Sequence, residues 1–412
     1  MKRPQLLAPA GDFASVDAAL NHGADAIYVG IGPFNLRAHA PNFTYSDLPE
    51  LKERIHSEGR LLYYAFNTMP HNATLDKMEN VLRRLQNEDT LPDALIVSDP
   101  GVISLCREIT PEVTLHLSTQ TGSFNKRALS FWKNAGISRV VLPRELTLPD
   151  IAELAVQNIV ETEIFIHGAM CVSISGRCLM GAYLQERHPN RGDCPQPCRW
   201  KYRITPFSSD DSPLPDAFSL DAEEQENGTY FLNARDLCTI SLLPELMRSG
   251  VDSFKIEGRN KSAHYVASVV KAYRTAIDSI SDCNAPWQTD PDLQTLLDSV
   301  DHRPYTTGFY NKALALQEVF TSKAALKTRI IGVVKALLPG GLPVIDVKNR
   351  FDPTTPIEIL PVNQSKKTFN VTFTAITDLS GNALTHFPSN RLIVVQCPVR
   401  LQIGDMLRNI PV

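Results

Sequence analysis

The sequence lacks long hydrophobic runs and the signatures of several large enzyme classes. No window approaches the roughly 18 apolar residues that a membrane span needs, and the N-terminal MKRPQLLAPAGDF has too short an apolar stretch for a signal peptide. H-E-x-x-H, G-x-S-x-G, a Walker loop and G-x-G-x-x-G are all absent. These absences argue against a zincin, a serine hydrolase, a nucleoside triphosphatase and a Rossmann enzyme. They predict a cytoplasmic protein with no membrane partner.

Cysteine is scarce, yet half of it is concentrated in one place. Four of the eight cysteines lie between Cys171 and Cys198, with spacings of six, fifteen and three residues. Cytosolic thiols normally stay reduced, which makes disulfides the weaker interpretation. Cys194 and Cys198 have the spacing of a structural zinc pair, but Cys171 and Cys178 do not. Irregular spacing is compatible with a 4Fe-4S cluster, and a nucleophilic thiol remains an alternative. Cys238 is a reserve ligand.

The charge of the chain is divided unevenly. The 412 residues carry a net charge of −4. Residues 323–412 contain 11 Lys and Arg against 5 Asp and Glu, which gives +6 and leaves −10 for residues 1–322. This division predicts a basic C-terminal module that faces a polyanion such as RNA or DNA. A basic but merely solvated surface is the alternative.

Short apolar segments alternate with amphipathic ones over the first 260 residues, which indicates parallel strands covered by helices on both faces. Eight such units fit a closed (β/α)8 TIM-like barrel better than an open sheet. A helix over Asp236–Arg248 is expected to precede the eighth strand. The expected strands are Gln5–Ala8, Ala26–Val29, Leu61–Ala65, Ala94–Val97, Thr114–Leu117, Arg139–Leu142, Glu163–Ile166 and Ser253–Ile256.

The domain organisation follows from this pattern. Residues 1–280 are expected to form the barrel, with a cysteine-rich insertion over 168–232 whose acidic second half includes residues 208–228. A helical and linker segment is expected over 281–325. Short alternating runs with Gly, Pro and Asn turns predict a small all-β barrel over 326–412.

Chemistry in a TIM-like barrel occurs at the C-terminal ends of the strands. In the eighth strand, Phe254 and Ile256 alternate with Lys255 and Glu257. If the apolar pair meets the helices, Lys255 and Glu257 face the barrel interior, where they can pair with each other or with a ligand. A buried ion pair that only stabilises the barrel is the alternative.

Three further side chains at strand ends are candidates for binding or catalysis. Arg144 and Arg259 could hold a carboxylate or a phosphate in bidentate fashion. His167 could act as an acid or a base. Helix capping or pairing with Glu145 is the alternative for Arg144, and a satisfied structural histidine is the alternative for His167.

Basic and aromatic residues are interleaved around the cysteines. This combination suits an unpaired nucleobase and its phosphates, although the cations could instead neutralise an anionic cluster. The residues are Arg177, Arg187, Arg191, Arg199, Trp200, Lys201, Tyr202 and Arg203.

These stretches resemble the collagenase-like peptidase family U32. The resemblance is carried by E-x-F-x-x-G-A-M-C-x4-G-x-C, from Glu163 to Cys178, and departs at Gly181, where that signature usually has serine. Further matches cover most of residues 5–280. They are LLAPAG (6–11), GADAIYVG (23–30), HLSTQ (116–120), PREL (143–146), CRW (198–200) and KIEGRNKS (255–262).

The resemblance implies an activity that the family name does not suggest. The most similar members are hydroxylases that need no O2 and carry a 4Fe-4S cluster on four cysteines, here Cys171, Cys178, Cys194 and Cys198. One branch forms 5-hydroxyuridine at the tRNA wobble position and depends on prephenate. Others act on a cytidine of 23S rRNA or on ubiquinone precursors.

The Cys194–Cys198 pair and the modest length resemble the tRNA branch. The expected partners are therefore a tRNA anticodon loop and a small dicarboxylate. A collagenase-like peptidase and an RNA-binding module with structural zinc remain alternatives.

Overall fold

A computed structural model of the chain describes residues 3–38, 40–202, 229–230, 232–311, 328–352, 357–363 and 366–409. The predicted acidic segment 208–228, Arg203 and part of the predicted linker lie outside the described residues.

Eight parallel strands form a closed barrel. They are β1 Gln5–Pro9, β2 Ala26–Gly30, β3 Leu61–Phe66, β4 Ala94–Val97, β5 Thr114–Leu117, β6 Arg139–Val141, β7 Glu161–Ala169 and β11 Ser253–Ile256. Each pairs with the next in chain order, and β11 closes the barrel by pairing with both β7 and β1. All eight expected strands are present, which confirms the TIM-like fold.

Ten α-helices lie outside the sheet in the described part of the chain. They are α1 Phe13–Asn21, α2 Leu48–His56, α3 Asn72–Asn87, α4 Pro100–Ile109, α5 Lys126–Asn134, α6 Leu148–Ala155, α7 Met180–Gln185, α8 Leu243–Arg248, α9 Ala263–Ser279 and α10 Pro291–Asp298. Helices α1, α4, α5, α9 and α10 begin at a side chain that caps them. The Asp12 carboxylate accepts a hydrogen bond from the Ser15 amide at 2.7 Å and so satisfies an amide at the start of α1.

The helix expected over Asp236–Arg248 is wrong in its first half. Residues Asp236–Cys238 form strand β10, which pairs antiparallel with the end of β7, and only α8 is helical after it. Strand β7 extends three residues past the predicted end at Ile166. The backbone N–H and C=O groups of these last residues form hydrogen bonds with β10. A short strand β12, Tyr305–Thr306, pairs parallel with β10 and widens this side of the wall.

The C-terminal part is an antiparallel sheet with its own core, as predicted. Its strands are β13 Ile330–Leu337, β14 Pro343–Val347, β15 Ile357–Leu360, β16 Phe369–Val371, β17 Ala375–Thr377, β18 Arg391–Gln396 and β19 Met406–Asn409. Their order in the sheet is β16-β15-β19-β13-β14-β18-β17, and Ile331, Ile345, Phe387 and Leu407 are among the buried residues of its core.

Buried polar contacts join this sheet to the barrel helices. The Lys271 ammonium of α9 donates hydrogen bonds to the carbonyl oxygens of Pro361 at 2.9 Å and Asn363 at 2.8 Å. The Arg408 guanidinium of β19 donates to the Ser299 hydroxyl at 2.8 Å, just after α10. Two further short strands, β8 Lys201–Tyr202 and β9 Thr229–Tyr230, pair with each other. Among the described residues, none of the helices combines the length and the apolar character needed to cross a bilayer.

Candidate functional site

A cavity of about 160 Å³ lies at the C-terminal end of the barrel. Its floor includes Tyr28, Phe165 and Lys255 from strands β2, β7 and β11, and its sides include Asn67 and Ser118 from the segments after β3 and β5. Residues of the insertion complete the wall. This is the end of the barrel at which catalytic residues of TIM-like enzymes lie.

Residues 171–202, here called the cysteine lobe, are attached to the barrel by specific hydrogen bonds. The Glu145 carboxylate accepts hydrogen bonds from the Ser175 amide at 2.5 Å and from the Ser175 hydroxyl at 3.2 Å. Arg144 therefore does not pair with Glu145 as the structural alternative supposed. The Asn190 carbonyl oxygen accepts from the Met69 amide at 3.0 Å, which joins the lobe to the segment after β3.

The four clustered cysteines all line the cavity. Cys171, Cys178, Cys194 and Cys198 come from three separate turns of the lobe, and the Sγ of Cys178 accepts a hydrogen bond from the Met180 amide at 3.4 Å. Burial and the neighbouring thiols raise the pKa of Cys198 to about 11. A bound cation reverses that effect, because it stabilises the thiolate.

The four thiols are close enough to influence one another, because Cys171, Cys194 and Cys178 each act to raise the pKa of Cys198. Within the described part of the chain, no group of three or more His, Cys, Asp or Glu side chains is arranged to hold a metal ion. Four thiols that line one cavity are nevertheless a donor set that both zinc and an iron–sulfur cluster can bind.

Three arginines surround one carboxylate in the cavity. The Arg37 guanidinium lies 3.1 Å from the Glu257 carboxylate, and the Tyr28 hydroxyl donates to that carboxylate at 3.2 Å. Burial by itself would raise the pKa of Glu257, but the charges of Arg37, Arg144 and Arg259 lower it below its usual range. Glu257 is therefore ionised at neutral pH.

Arg144 and Arg259 retain hydrogen-bonding capacity. Arg144 donates to the Ala169 carbonyl oxygen at 2.9 Å and lies over the Phe165 ring, while Arg259 donates to the Asn35 side chain. In both arginines the Nε atom is buried without a hydrogen-bond partner among the described residues. Burial lowers the pKa of Arg259 to about 10, which leaves it cationic at neutral pH.

Lys255 faces the barrel interior, as expected, but its partner is Glu163 rather than Glu257. The Lys255 ammonium lies 3.0 Å from the Glu163 carboxylate and 4.7 Å from the centre of the Tyr28 ring. It forms the floor of the cavity, where its charge adds to that of the arginines.

His167 and Cys238 lie behind the cavity wall. His167 is 1% exposed, contacts the rings of Tyr273 and Tyr305, and is absent from the described residues that line the cavity. Burial lowers its pKa to about 3, so it is neutral at physiological pH. Cys238 of β10 lies opposite His167 of β7 in the sheet, and its sulfur accepts a hydrogen bond from the Tyr273 hydroxyl at 3.8 Å. The structure thus does not bring Cys238 to the other four thiols.

Sequence reasoning missed Arg37 and Tyr28. Arg37 follows β2 in a loop of irregular structure, and its only signal was its position after a strand end. Tyr28 lies within the GADAIYVG match, at a position whose side chain faces inward.

Gly181, where the sequence departs from the family signature, has no room for a side chain unless its neighbours shift. A Cβ atom at this position would lie 2.7 Å from Cδ of Pro195 and 2.9 Å from the Arg187 carbonyl oxygen. Helix α7 therefore packs directly against the segment that carries Cys194.

Comparisons with known proteins agree with this architecture. The profile of "Peptidase family U32" matches residues 11–318. "tRNA hydroxylation protein P" of Haemophilus influenzae is 37% identical over 349 residues, or 75% of this chain and 74% of that protein. The protein of the same name from Escherichia coli is 33% identical over an alignment of 450 residues, which covers 99% of this chain and 97% of that protein. "Collagenase" of Porphyromonas gingivalis is 34% identical over 322 residues, or 74% and 73%. The chain belongs to peptidase family U32.

Proposed function

We propose that this protein is an RNA hydroxylase that forms 5-hydroxyuridine at the tRNA wobble position without O2, with prephenate as the oxygen source and a 4Fe-4S cluster. The observation that carries the proposal is the presence of four thiols and four cations around one cavity at the catalytic end of the barrel. Relatives named tRNA hydroxylation protein P support RNA as the substrate. A cytoplasmic location follows from that substrate.

Cys171, Cys178, Cys194 and Cys198 would hold the cluster. The family resemblance assigns these residues, and their common cavity supports the assignment. When bound, the cluster would supply redox-active iron next to the reacting molecules. Cys238 is not needed as a ligand in this arrangement, because it packs against Tyr273.

Arg37, Arg144, Arg259 and Lys255 would bind the small dicarboxylate. Arginine forms paired hydrogen bonds with carboxylates, and the buried Nε donors of Arg144 and Arg259 lack partners among the described residues. Glu257 compensates only part of the positive charge. A dianion such as prephenate would complete the compensation, and Glu257 would orient Arg37 toward it.

His167 has a supporting role in this proposal. Its ring is enclosed by tyrosines and remains neutral, so it positions the end of β7 rather than transferring a proton to the substrate. Within the cavity, the ionised Glu257 carboxylate could accept a proton and the Tyr28 hydroxyl could donate one.

The anticodon loop would bind to the cysteine lobe and to the basic C-terminal sheet. The lobe carries Arg177, Arg187, Arg191, Arg199 and Lys201, and residues 323–412 carry a charge of +6. Cationic side chains near exposed aromatic groups bind phosphates and unpaired bases.

A peptidase is the second candidate, because one relative is named a collagenase. In that case a thiol of the lobe would act as a nucleophile. One nucleophile does not require four cysteines around one cavity.

The decisive experiment combines tRNA analysis with metal analysis. We expect a deletion strain to lose 5-hydroxyuridine from its tRNA, as measured by mass spectrometry, and the wild-type gene to restore it. Protein purified without air should contain iron and sulfide and absorb visible light.

Matched cysteine variants separate the two candidates. Cys171→Ala and Cys194→Ala should lose the iron and fail to restore the modification. Cys397→Ser, just after β18, is the control, and it should keep the iron and restore the modification. An unchanged 5-hydroxyuridine level in the deletion strain would refute the tRNA assignment. If Cys171→Ala without iron still hydrolyses peptides, the protein is not an iron–sulfur hydroxylase. The same result would show that Cys171 is not the nucleophile of a peptidase.

A further inference from the structure

Large apolar side chains are exposed in one concentrated region of the cysteine lobe. Five of the 15 large hydrophobic side chains that are exposed in the described part of the chain lie between positions 172 and 184. Proteins rarely leave such clustered apolar surface uncovered unless it binds something. The five residues, here called the apolar rim, are Val172, Ile174, Leu179, Tyr183 and Leu184.

The apolar rim is not needed to pack the lobe. In helix α7, Met180 lines the cavity and Gly181 is buried against Pro195, so that side of the helix stabilises the lobe. Tyr183 and Leu184 point to solvent and are 84% and 52% exposed. Their side chains are therefore available to a partner.

One residue of the rim also lines the cavity. Val172 belongs to the rim and also lines the cavity, and Phe309, which is 38% exposed, lines it as well. A ligand that contacts Val172 or Phe309 therefore lies at the cavity.

The charge around the rim favours a polyanion. Residues 171–202 contain five Lys and Arg against two Asp and Glu, which gives +3, whereas the rest of the chain sums to −7. Arg177 and Arg191 are exposed within this segment. A ligand with negative charges and flat apolar faces matches both features, and unpaired nucleotides have both.

We infer that the apolar rim binds the unpaired nucleotides that flank the target base of an RNA loop, with the Tyr183 ring stacked on one base. The inference rests on the proposed RNA hydroxylase function and adds to it the surface that selects a single-stranded loop. A base-paired RNA hides its base faces and cannot stack on Tyr183.

Binding of an anticodon stem-loop RNA to full-length protein prepared without air tests the role of Tyr183. Stacking on one base contributes enough that Tyr183→Ala should weaken binding by about 5-fold to 150-fold. Tyr183→Trp should retain wild-type affinity. Phe131→Ala is the matched control, because Phe131 is 64% exposed on α5 and does not belong to the lobe. It should bind like the wild type.

Salt dependence distinguishes stacking from phosphate binding. Tyr183→Ala should leave the slope of log affinity against log salt unchanged, whereas Arg191→Gln should reduce its magnitude by about one if Arg191 contacts a phosphate. A duplex RNA of the same sequence should bind wild type and Tyr183→Ala equally. The iron content of each variant verifies that the lobe is folded.

The possible results separate the two proposals. Wild-type binding of the stem-loop together with unchanged binding by Tyr183→Ala would overturn the role of the rim and leave the RNA hydroxylase standing. A wild-type protein that fails to bind the stem-loop would count against the enzyme assignment itself. If Leu184→Asp converts a dimer to a monomer and leaves RNA binding unchanged, the rim is a contact between two copies and the inference is wrong.

Discussion

Glu163 is a carboxylate that stays ionised at the centre of the barrel. It is 1% exposed, and burial by itself would raise its pKa. The adjacent charges of Lys255 and Arg139 reverse the effect and lower the pKa to about 2. The Ser253 hydroxyl also donates to it at 2.9 Å. A charged group in the barrel interior is thus compensated by hydrogen bonds and ion pairs, and it keeps Lys255 in place below the cavity.

Removal of Lys255 should destabilise the fold. We expect Lys255→Met to lower the free energy of unfolding by about 3 kcal/mol at pH 7, because the Glu163 charge loses its main partner. The double variant Lys255→Met, Glu163→Gln should recover part of this loss. Urea unfolding followed by circular dichroism measures both.

The contribution of Glu163 to the free energy of unfolding should fall as the pH is lowered. The folded-state pKa of Glu163 lies below its ordinary value of about 4.5, so its contribution to stability is present above that value and is lost as the pH falls toward 2. In Lys255→Met, Glu163 takes up its proton at a higher pH. The difference in stability between wild type and variant should therefore shrink as the pH falls below about 4.5. A difference that is constant down to pH 3 would contradict this account of the pair.

The cysteine lobe is an element whose position depends on close packing rather than on regular secondary structure. Gly192 has φ of +91°, and a Cβ atom there would lie 2.4 Å from the Asn35 carbonyl oxygen and 2.9 Å from the Ala38 side chain. The turn that carries Cys194 therefore lies directly against the loop that carries Arg37. This contact places Cys194 and Arg37 at the same cavity.

Gly192→Ala should separate the lobe from that loop. Gly250→Ala is a matched control, because Gly250 has φ of +83° but no heavy atom within 4 Å of the point that a Cβ would occupy. Both changes cost about 1 kcal/mol or more of backbone strain. Only Gly192→Ala should lose iron and become sensitive to protease in the lobe, as measured by metal analysis and limited proteolysis. Equal iron contents in the two variants would show that this contact does not position the lobe.

At the scale of the whole molecule, the barrel and the C-terminal sheet are joined through buried polar groups. Burial lowers the pKa of Lys271 to about 8, and its two carbonyl partners both belong to the segment after β15. Lys367 also joins the two parts, through Asp290 and Asp292, but it is 66% exposed. Solvent screening makes the second contact weak.

These two lysines should therefore differ in their effect. Lys271→Met leaves the carbonyl groups of Pro361 and Asn363 without their donor and should lower the free energy of unfolding by about 2 kcal/mol. Hydrogen exchange should increase in residues 357–363 and in β19. Lys367→Met should change neither. If the two variants behave alike, the joint between the barrel and the sheet does not depend on the buried contact.

Some of these features could be predicted from short stretches of sequence. The apolar segments predicted all eight barrel strands because each strand is buried on both faces, and a run of apolar residues is visible within five positions. The strand at Asp236–Cys238 was missed because it is stabilised by the far end of β7, about 70 residues earlier.

The sequence alone determined the barrel, the C-terminal sheet and the spacing of the four cysteines, since each depends on residues that are near one another in the chain. Only the tertiary structure decided that Arg37 contacts Glu257, 220 positions away, that Lys255 pairs with Glu163, and that His167 lies behind the wall. Such pairings depend on how loops from distant strands pack at one end of the barrel. Local patterns of polarity do not encode that packing, because the same pattern is compatible with many loop conformations.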